Sequence, residues 1–204
     1  MKVFALSNTM GLRQMPSCLL AAALAFPVVA LAEEGGWSIG AYAGKYYDTE
    51  PPRFLSGRAN FLDHHLVALT VKKTVWRSAS WPVSLEIDGM VGLQSGVASL
   101  GEVAVAPAVR WSGFPWNDTL HTSVSLAPLG LSYTTSVSPL ELGQDGKGSR
   151  LLNWLFLEVA FSSPRQKSTE LFMGLHHRCT VFGLLNNHGA NGEDFFVVGL
   201  RREF

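Results

Sequence analysis

Apolar and polar residues alternate along most of this chain with a period of two residues, not the 3.6 of an amphipathic helix. Residues 83–93 show this best, with Val83, Leu85 and Ile87 on one face and Ser84 and Glu86 on the other. The same pattern predicts strands over 102–111, 120–127, 155–161, 169–177 and 195–204, and more weakly over 37–47 and 65–77. We therefore predict an all-β chain of eight strands, each near the length that crosses a bilayer when tilted.

A soluble β-sandwich would alternate too, but the distribution of charged and aromatic residues favours a barrel in a membrane. Charged residues such as Glu86, Glu102 and Glu158 lie opposite the apolar face, where a barrel has its lumen. Aromatic residues cluster at strand ends, as in the girdles at membrane interfaces: Trp37, Tyr46, Tyr47, Trp76, Trp81, Trp111, Phe114, Trp116 and Trp154. The last strand ends in Phe204, which resembles the C-terminal signature of outer-membrane barrels.

The lengths of the connecting segments indicate which end of the barrel is which. The turns near 78–81, 112–118 and 163–167 are short, whereas 48–64, 94–101, 135–150 and 179–194 are mostly longer. Short periplasmic turns and long extracellular loops are the bacterial outer-membrane pattern. We predict an eight-stranded antiparallel transmembrane β-barrel whose seventh strand rises toward the extracellular side. Eight strands leave no aqueous pore, which argues against a porin.

Residues 1–32 are typical of a signal peptide. Lys2 and Arg13 form a positive n-region, residues 19–32 are apolar, and Ala30-Leu31-Ala32 matches an A-x-A cleavage site. A membrane anchor is the alternative, but the apolar stretch is shorter than the roughly 20 residues that span a bilayer. We expect cleavage near Ala32 and a barrel domain of residues 33–204 in the bacterial outer membrane. Equal numbers of basic and acidic residues, 16 of each, argue against nucleic acid as a partner.

His177 and Cys179 are two residues apart at the end of the seventh strand, so they share one face of it. That face also carries Leu171, Met173 and Leu175, which places a histidine and a thiol on the lipid-facing wall near the outer leaflet. Polar groups there are costly, so their presence needs a reason. A histidine beside a thiol can act as a general base and activate the thiol for attack on an ester.

A third, acidic group would fix the imidazole tautomer of such a pair. Glu193 and Asp194 both stand just before the last strand, which pairs with the seventh, and spacing weakly favours Glu193. Thr180 is a poor substitute nucleophile because a regular strand points it to the opposite face. His176 is expected in the lumen, and the adjacent His64 and His65 point to opposite faces, which makes a metal site there a weak reading.

The stretch 177–184, followed by Gly192 and residues 195–204, resembles the C-terminal end of lipid A deacylases of the PagL type and their acyloxyacyl-hydrolase relatives. In that family a His-x-Ser pair at the end of the penultimate strand supplies base and nucleophile, and a Glu of the next loop completes the triad. The resemblance implies that His177 is the base and Glu193 the acid. Cys179 occupies the serine position, which is a departure from the family.

The resemblance further implies an outer-membrane esterase that removes an acyl chain, at the 3-O position, from lipid A of lipopolysaccharide in the outer leaflet. Triad chemistry requires no cofactor, and calcium stays an open alternative. A second hypothesis, which Cys179 favours, is a non-catalytic barrel with a structural, adhesive or lipid-binding role. Taken separately, a histidine at an interface is often a hydrogen-bonding group, and a lone cysteine is often a small apolar filler. The sequence leaves the oligomeric state, monomer or dimer, open.

Overall fold

The computed structural model describes residues 36–48, 56–143, 145–181, 183, 185 and 192–204. These residues form the strands β1 (Trp37–Tyr47), β2 (Phe61–Arg77), β3 (Val83–Ser95), β4 (Leu100–Trp111), β5 (His121–Ala127), β6 (Leu131–Thr134), β7 (Leu151–Ser163), β8 (Gln166–Cys179) and β9 (Glu193–Glu203). A short 3₁₀ helix spans Pro139–Glu141. The signal peptide predicted over 1–32 lies outside the described residues, so it stays a prediction. No helix in the described ranges is long and apolar enough to cross a membrane.

The strands close into a barrel because the first strand, β1, pairs antiparallel with the last, β9, as well as with β2. β5 and β6 both lie between β4 and β7, so they are two halves of one barrel strand interrupted at 128–130. The nine segments thus make eight positions around the barrel, all antiparallel. The predicted eight-stranded antiparallel β-barrel is confirmed.

The interruption between β5 and β6 depends on Gly130. A Cβ at this position would lie 2.8 Å from the Val105 carbonyl oxygen and 2.9 Å from the Trp154 carbonyl oxygen. Real Cβ atoms are very rarely so close to backbone, so only glycine fits there without a shift. This close approach keeps residues 128–130 against β4 and β7 where the strand hydrogen bonding is broken.

The outer wall is apolar and the interior is polar, which is the reverse of a soluble protein. In β3, Leu85 and Val91 are 41% and 53% exposed, whereas Glu86 and Asp88 are buried. Exposed apolar residues of this kind recur on the same face of the other long strands, for example Leu69 in β2 and Leu200 in β9. A continuous outward apolar band around a polar lumen is the arrangement of transmembrane barrels.

Buried ions of opposite charge form a cluster in the lumen, toward the end with the short turns. Lys72 Nζ lies 3.1 Å from Asp88 Oδ2, and the Arg201 guanidinium donates to both carboxylate oxygens of Glu158. Burying a charge is costly unless it is paired, and these groups are paired across the barrel. The members of this cluster are Lys72, Arg110 and Arg201 with Glu86, Asp88, Glu158 and Glu170.

Two of the aromatic residues predicted for the interface girdle lie in the interior cluster instead. Tyr46 and Trp154 are buried there, whereas Trp76 and Trp81 are 51% and 72% exposed. Trp154 follows from strand periodicity, because its neighbour Leu155 faces outward and successive side chains alternate. For these two residues the girdle prediction is therefore wrong.

Candidate active site

His177 lies on the outward wall of β8, as its strand parity predicted, and hydrogen-bonds to a carboxylate. Its Nδ1 is 2.7 Å from Asp194 Oδ1, and both side chains are about three-tenths exposed, 28% and 31%. The carboxylate can only accept, so the Nδ1–H of His177 is the donor. A proton held on Nδ1 leaves Nε2 as the nitrogen that can accept a proton, which is the tautomer that a general base needs.

Cys179 shares the outward face with His177, and the imidazole lies close enough to the thiol to interact with it. Asn153 Nδ2 donates to the Cys179 sulfur at 3.7 Å, and the backbone N–H of Val181 lies close to the same sulfur. Cys179 is half-buried and is the free cysteine of the described chain. The thiol is therefore surrounded by one possible base and two donors, which is more than an apolar filler requires.

Glu193, the acid favoured by the sequence, does not contact His177. It is fully buried in the lumen, where it accepts a hydrogen bond from Ser138 Oγ and lies 3.7 Å from Arg178. The reason is strand parity: Glu193 begins β9 directly opposite Arg178, whose side chain also points inward, whereas Asp194 stands opposite His177. The prediction that Glu193 accompanies His177 is wrong, and Asp194, the alternative, takes that position.

A buried ion cluster lies directly behind the site and ties its two strands to the loop at 135–150. Arg178, between His177 and Cys179 in the chain, donates from Nη1 to Glu141 Oε1 at 2.6 Å and from Nε to Ser132 at 2.9 Å. Glu141 belongs to the 3₁₀ helix of that loop. The cluster thus fixes the end of β8 from within the lumen, while His177 and Cys179 occupy the outer side of the same strand.

His176 lies in the lumen as predicted and is fully hydrogen-bonded there. Its Nε2 is 3.1 Å from Glu102 Oε1, and its Nδ1 is 3.2 Å from Trp154 Nε1. Since Trp154 can only donate, Nδ1 accepts and Nε2 carries the proton toward Glu102. These contacts give His176 a structural role.

An apolar groove on the outer wall lies next to the site: Cys179 is not among its lining residues, but two neighbours of the sulfur are. It has a volume of about 460 Å³ and is lined mainly by side chains from β3, β4, the 128–131 segment and the chain after β8, including Ile87, Val105, Leu129 and Leu185. Asn153 and Val181, the two donors to the Cys179 sulfur, also line it. A cleft of this size and polarity can hold an extended apolar chain whose end reaches the thiol.

Two residues of this arrangement had no clear sequence signal. Asn153 precedes the strand predicted at 155–161, so its face was not assigned. Val181 contributes only its backbone N–H, which residue type does not reveal. Among the described residues, no group of three or more His, Cys, Asp or Glu side chains could hold a metal ion.

Comparison with known proteins identifies the fold of the chain but does not assign it to a family. No family model matches the chain, and no curated protein matches it either. Among solved structures it is similar to the outer membrane enzyme PagL, with a TM-score of 0.57 and 12% identity over 81% of this chain and 98% of that one. It is also similar to Neisserial surface protein A, with a TM-score of 0.50 and 11% identity over 84% and 100%. The chain thus has the fold of the eight-stranded outer-membrane β-barrels.

Proposed function

We propose that this protein is an outer-membrane esterase that removes an ester-linked acyl chain from lipid A of lipopolysaccharide. The observation that carries the proposal is the outward-facing group of Cys179, His177 and Asp194 at the end of an apolar groove. The roles are nucleophile for Cys179, general base for His177 and orienting carboxylate for Asp194. The resemblance of residues 177–184 to the PagL-type deacylases supports lipid A as the substrate and the 3-O acyl chain as the one removed.

The direction in which the site opens supports a membrane lipid as substrate. His177 and Cys179 lie on the same wall as the exposed Leu171 and Met173, not in the filled lumen. A substrate therefore approaches from the hydrocarbon side of the wall. The site lies at the end of β8 that joins the loop before β9, the side of the longer connections, which corresponds to the outer leaflet.

The chemistry balances with water as the only co-substrate. His177 Nε2 takes the thiol proton, and the Cys179 sulfur attacks the ester carbonyl, forming a C–S bond and moving the carbonyl electron pair onto oxygen. Collapse re-forms the carbonyl and breaks the C–O bond, and His177 returns its proton to the departing sugar hydroxyl. Water, deprotonated by His177, then attacks the thioester. The C–S bond breaks, the sulfur regains a proton, and a free fatty acid leaves.

The direct test uses the purified full chain with lipid A in detergent micelles and ¹⁸O-labelled water. The proposal predicts free fatty acid that carries one ¹⁸O atom and lipid A that has lost one acyl chain, both measured by mass spectrometry. Cys179→Ala and His177→Ala should abolish both products. If folded wild-type protein leaves lipid A intact, the esterase proposal is wrong and a non-catalytic barrel is the better description.

A further inference from the structure

We propose that Asn153 Nδ2 and the backbone N–H of Val181 form the oxyanion hole of this site. The inference rests on the proposed function, because it assigns two further groups to the same acyl-transfer step. Asn153 Nδ2 donates to the Cys179 sulfur at 3.7 Å, and the Val181 N–H, two residues after Cys179 in the chain, lies close to the same sulfur. Both also line the apolar groove. They therefore lie where the carbonyl of an acyl chain seated in the groove would meet the thiol.

Asn153 is an amide on the outward face of β7 that is nevertheless buried. The outward residues next to it on the strand are Leu151 and Leu155, but Asn153 is only 3% exposed. An amide on the lipid-facing wall is unfavourable unless its hydrogen bonds are made. It stands directly opposite Cys179 in the β7–β8 register, which explains how the two side chains meet.

The interruption between β5 and β6 holds the Asn153 amide in one orientation. Its Oδ1 accepts from the Gly130 N–H at 3.0 Å, and its Nδ2 donates to the Pro128 carbonyl at 3.3 Å. An amide nitrogen has two hydrogens. One is thus used by the backbone of the interruption, and the other is directed to the sulfur. The donor is positioned before any substrate arrives.

Val181 supplies the second donor from a strained backbone. Its φ is +49°, which is unusual for a β-branched residue and energetically costly. Such strain persists at functional sites when it sets a group in a required position. Here the strain falls where the chain leaves β8, at the residue that both lies beside the Cys179 sulfur and lines the groove.

As the reaction proceeds, the two N–H groups can change their acceptor from the sulfur to the carbonyl oxygen of the substrate. When the sulfur bonds to the carbonyl carbon, the negative charge moves from sulfur to the adjacent oxygen. Donors that already point at the sulfur are then close to that oxygen and need little reorganisation. Fixed donors of this kind stabilise the transition state more than the ground state, which raises kcat and leaves KM nearly unchanged.

The test compares two reactions of Cys179 in purified, folded protein. Hydrolysis of lipid A passes through an oxyanion, whereas alkylation by iodoacetamide needs only an accessible, reactive thiol. We expect Asn153→Ala to lower kcat by about 10²–10³-fold with KM changed less than about threefold. Alkylation should change less than about threefold. Leu157→Ala, an outward apolar position on the same strand, is the matched control and should leave both rates near wild type.

Asn153→Asp covers the case in which the alanine variant does not fold. It keeps an acceptor for the Gly130 N–H but loses both amide hydrogens, so kcat should fall at least as far. Parallel losses in hydrolysis and alkylation would show a structural role and overturn the oxyanion assignment, as would near-normal kcat in folded Asn153→Ala. Wild-type protein without turnover would instead reject the proposed esterase, and this assignment with it.

Discussion

His177 and Asp194 face each other across the β8–β9 pair, and Nδ1 of the histidine lies 2.7 Å from Oδ1 of the aspartate. Both belong to regular strands, so the antiparallel register sets their distance and no loop conformation is needed. Cross-strand neighbours on one face are the closest side-chain contacts that a sheet offers. His177 and Asp194, the proposed base and its orienting acid, are thus part of the barrel wall itself.

The first prediction concerns this pair. Asp194→Asn keeps the size of the side chain but lets its amide donate to His177, which favours the wrong tautomer. The equivalent change in a serine protease lowers kcat by about 10⁴-fold. We expect a loss of at least about 10²-fold in lipid A deacylation, measured as fatty acid released per folded chain.

Glu193→Gln is the matched control for that prediction. Glu193 immediately precedes Asp194 in the chain. It also carries a carboxyl group, but it is buried on the lumen side. Folded Glu193→Gln should hydrolyse lipid A within a few-fold of wild type. The assignment of Asp194 fails if the two variants lose activity equally.

A second prediction concerns Gly192, which packs against the imidazole of His177. A Cβ at this position would lie 2.7 Å from His177 Cε1 and would also meet the Arg178 carbonyl oxygen. Gly192→Ala should therefore displace the ring and lower deacylation, while the barrel still shows heat-modifiable migration on gels. Gly89→Ala is a control for alanine itself, because its Cβ would make only ordinary van der Waals contacts, the nearest at 3.6 Å from Val71 Cγ1. Full activity in Gly192→Ala would show that the ring position is not critical.

A third prediction concerns the Arg178 cluster behind the site. Arg178→Met would leave the carboxylates of Glu102 and Glu193 buried without their shared cation and would remove the donor to the Glu141 carboxyl group. Removing one partner of a buried ion pair costs about 3–5 kcal/mol, so the free energy of unfolding in urea should fall by that order. Arg77→Met is the control: Arg77 is 68% exposed and 4.0 Å from Glu203, and surface pairs contribute at most about 1 kcal/mol. Equal effects of the two variants would contradict the structural importance of the cluster.

A fourth prediction is a pH dependence of stability from Glu141 in the 3₁₀ helix. Burial raises the pKa of this carboxyl group to about 8. The neighbouring Glu193 and Glu102 also raise it, whereas Arg178 lowers it. The folded chain then holds a proton that the unfolded chain releases above its ordinary pKa of 4.5. The stability from this group is complete below about 4.5 and is lost as the pH rises through about 8.

Glu141→Gln keeps a neutral side chain at every pH and should remove that part of the dependence. The comparison is urea unfolding of wild type and Glu141→Gln in lipid vesicles between pH 4.5 and 9. We expect the wild-type curve to fall more steeply with pH than the variant curve. Parallel curves would show that Glu141 is ionised in the folded protein throughout this range.

Much of the fold could be predicted from the sequence because alternation reports directly on which face meets the lumen. The faces of β3 and β9 follow it residue by residue: Ser84, Glu86 and Asp88 are buried, and Val198 and Leu200 are exposed. The same parity brought His177 and Cys179 to the outer wall. The side to which a residue points depends only on whether its position along the strand is odd or even. It is therefore the same whether or not the sheet closes into a barrel.

The acid and the donors were harder to predict because they depend on where strands begin and how they pair. The last strand was expected to start at 195, which treated Glu193 and Asp194 as loop residues without a face. Extending the alternation of Val198 and Leu200 back to 194 would have placed Asp194 outward and Glu193 inward. Asn153 required more: its role follows from the β7–β8 register and the break at 128–130, which local periodicity does not encode.

The central claim is that Cys179, His177 and Asp194 form an esterase that acts on lipid A in the outer membrane. Its most direct test is mass spectrometry of lipid A from bacteria that express wild type, Cys179→Ala, His177→Ala or the control Leu157→Ala at equal levels of folded barrel. We predict that wild type and Leu157→Ala remove one ester-linked acyl chain and that the other two variants leave lipid A unchanged. Identical lipid A in all four strains, or equal deacylation by Cys179→Ala, would contradict the claim.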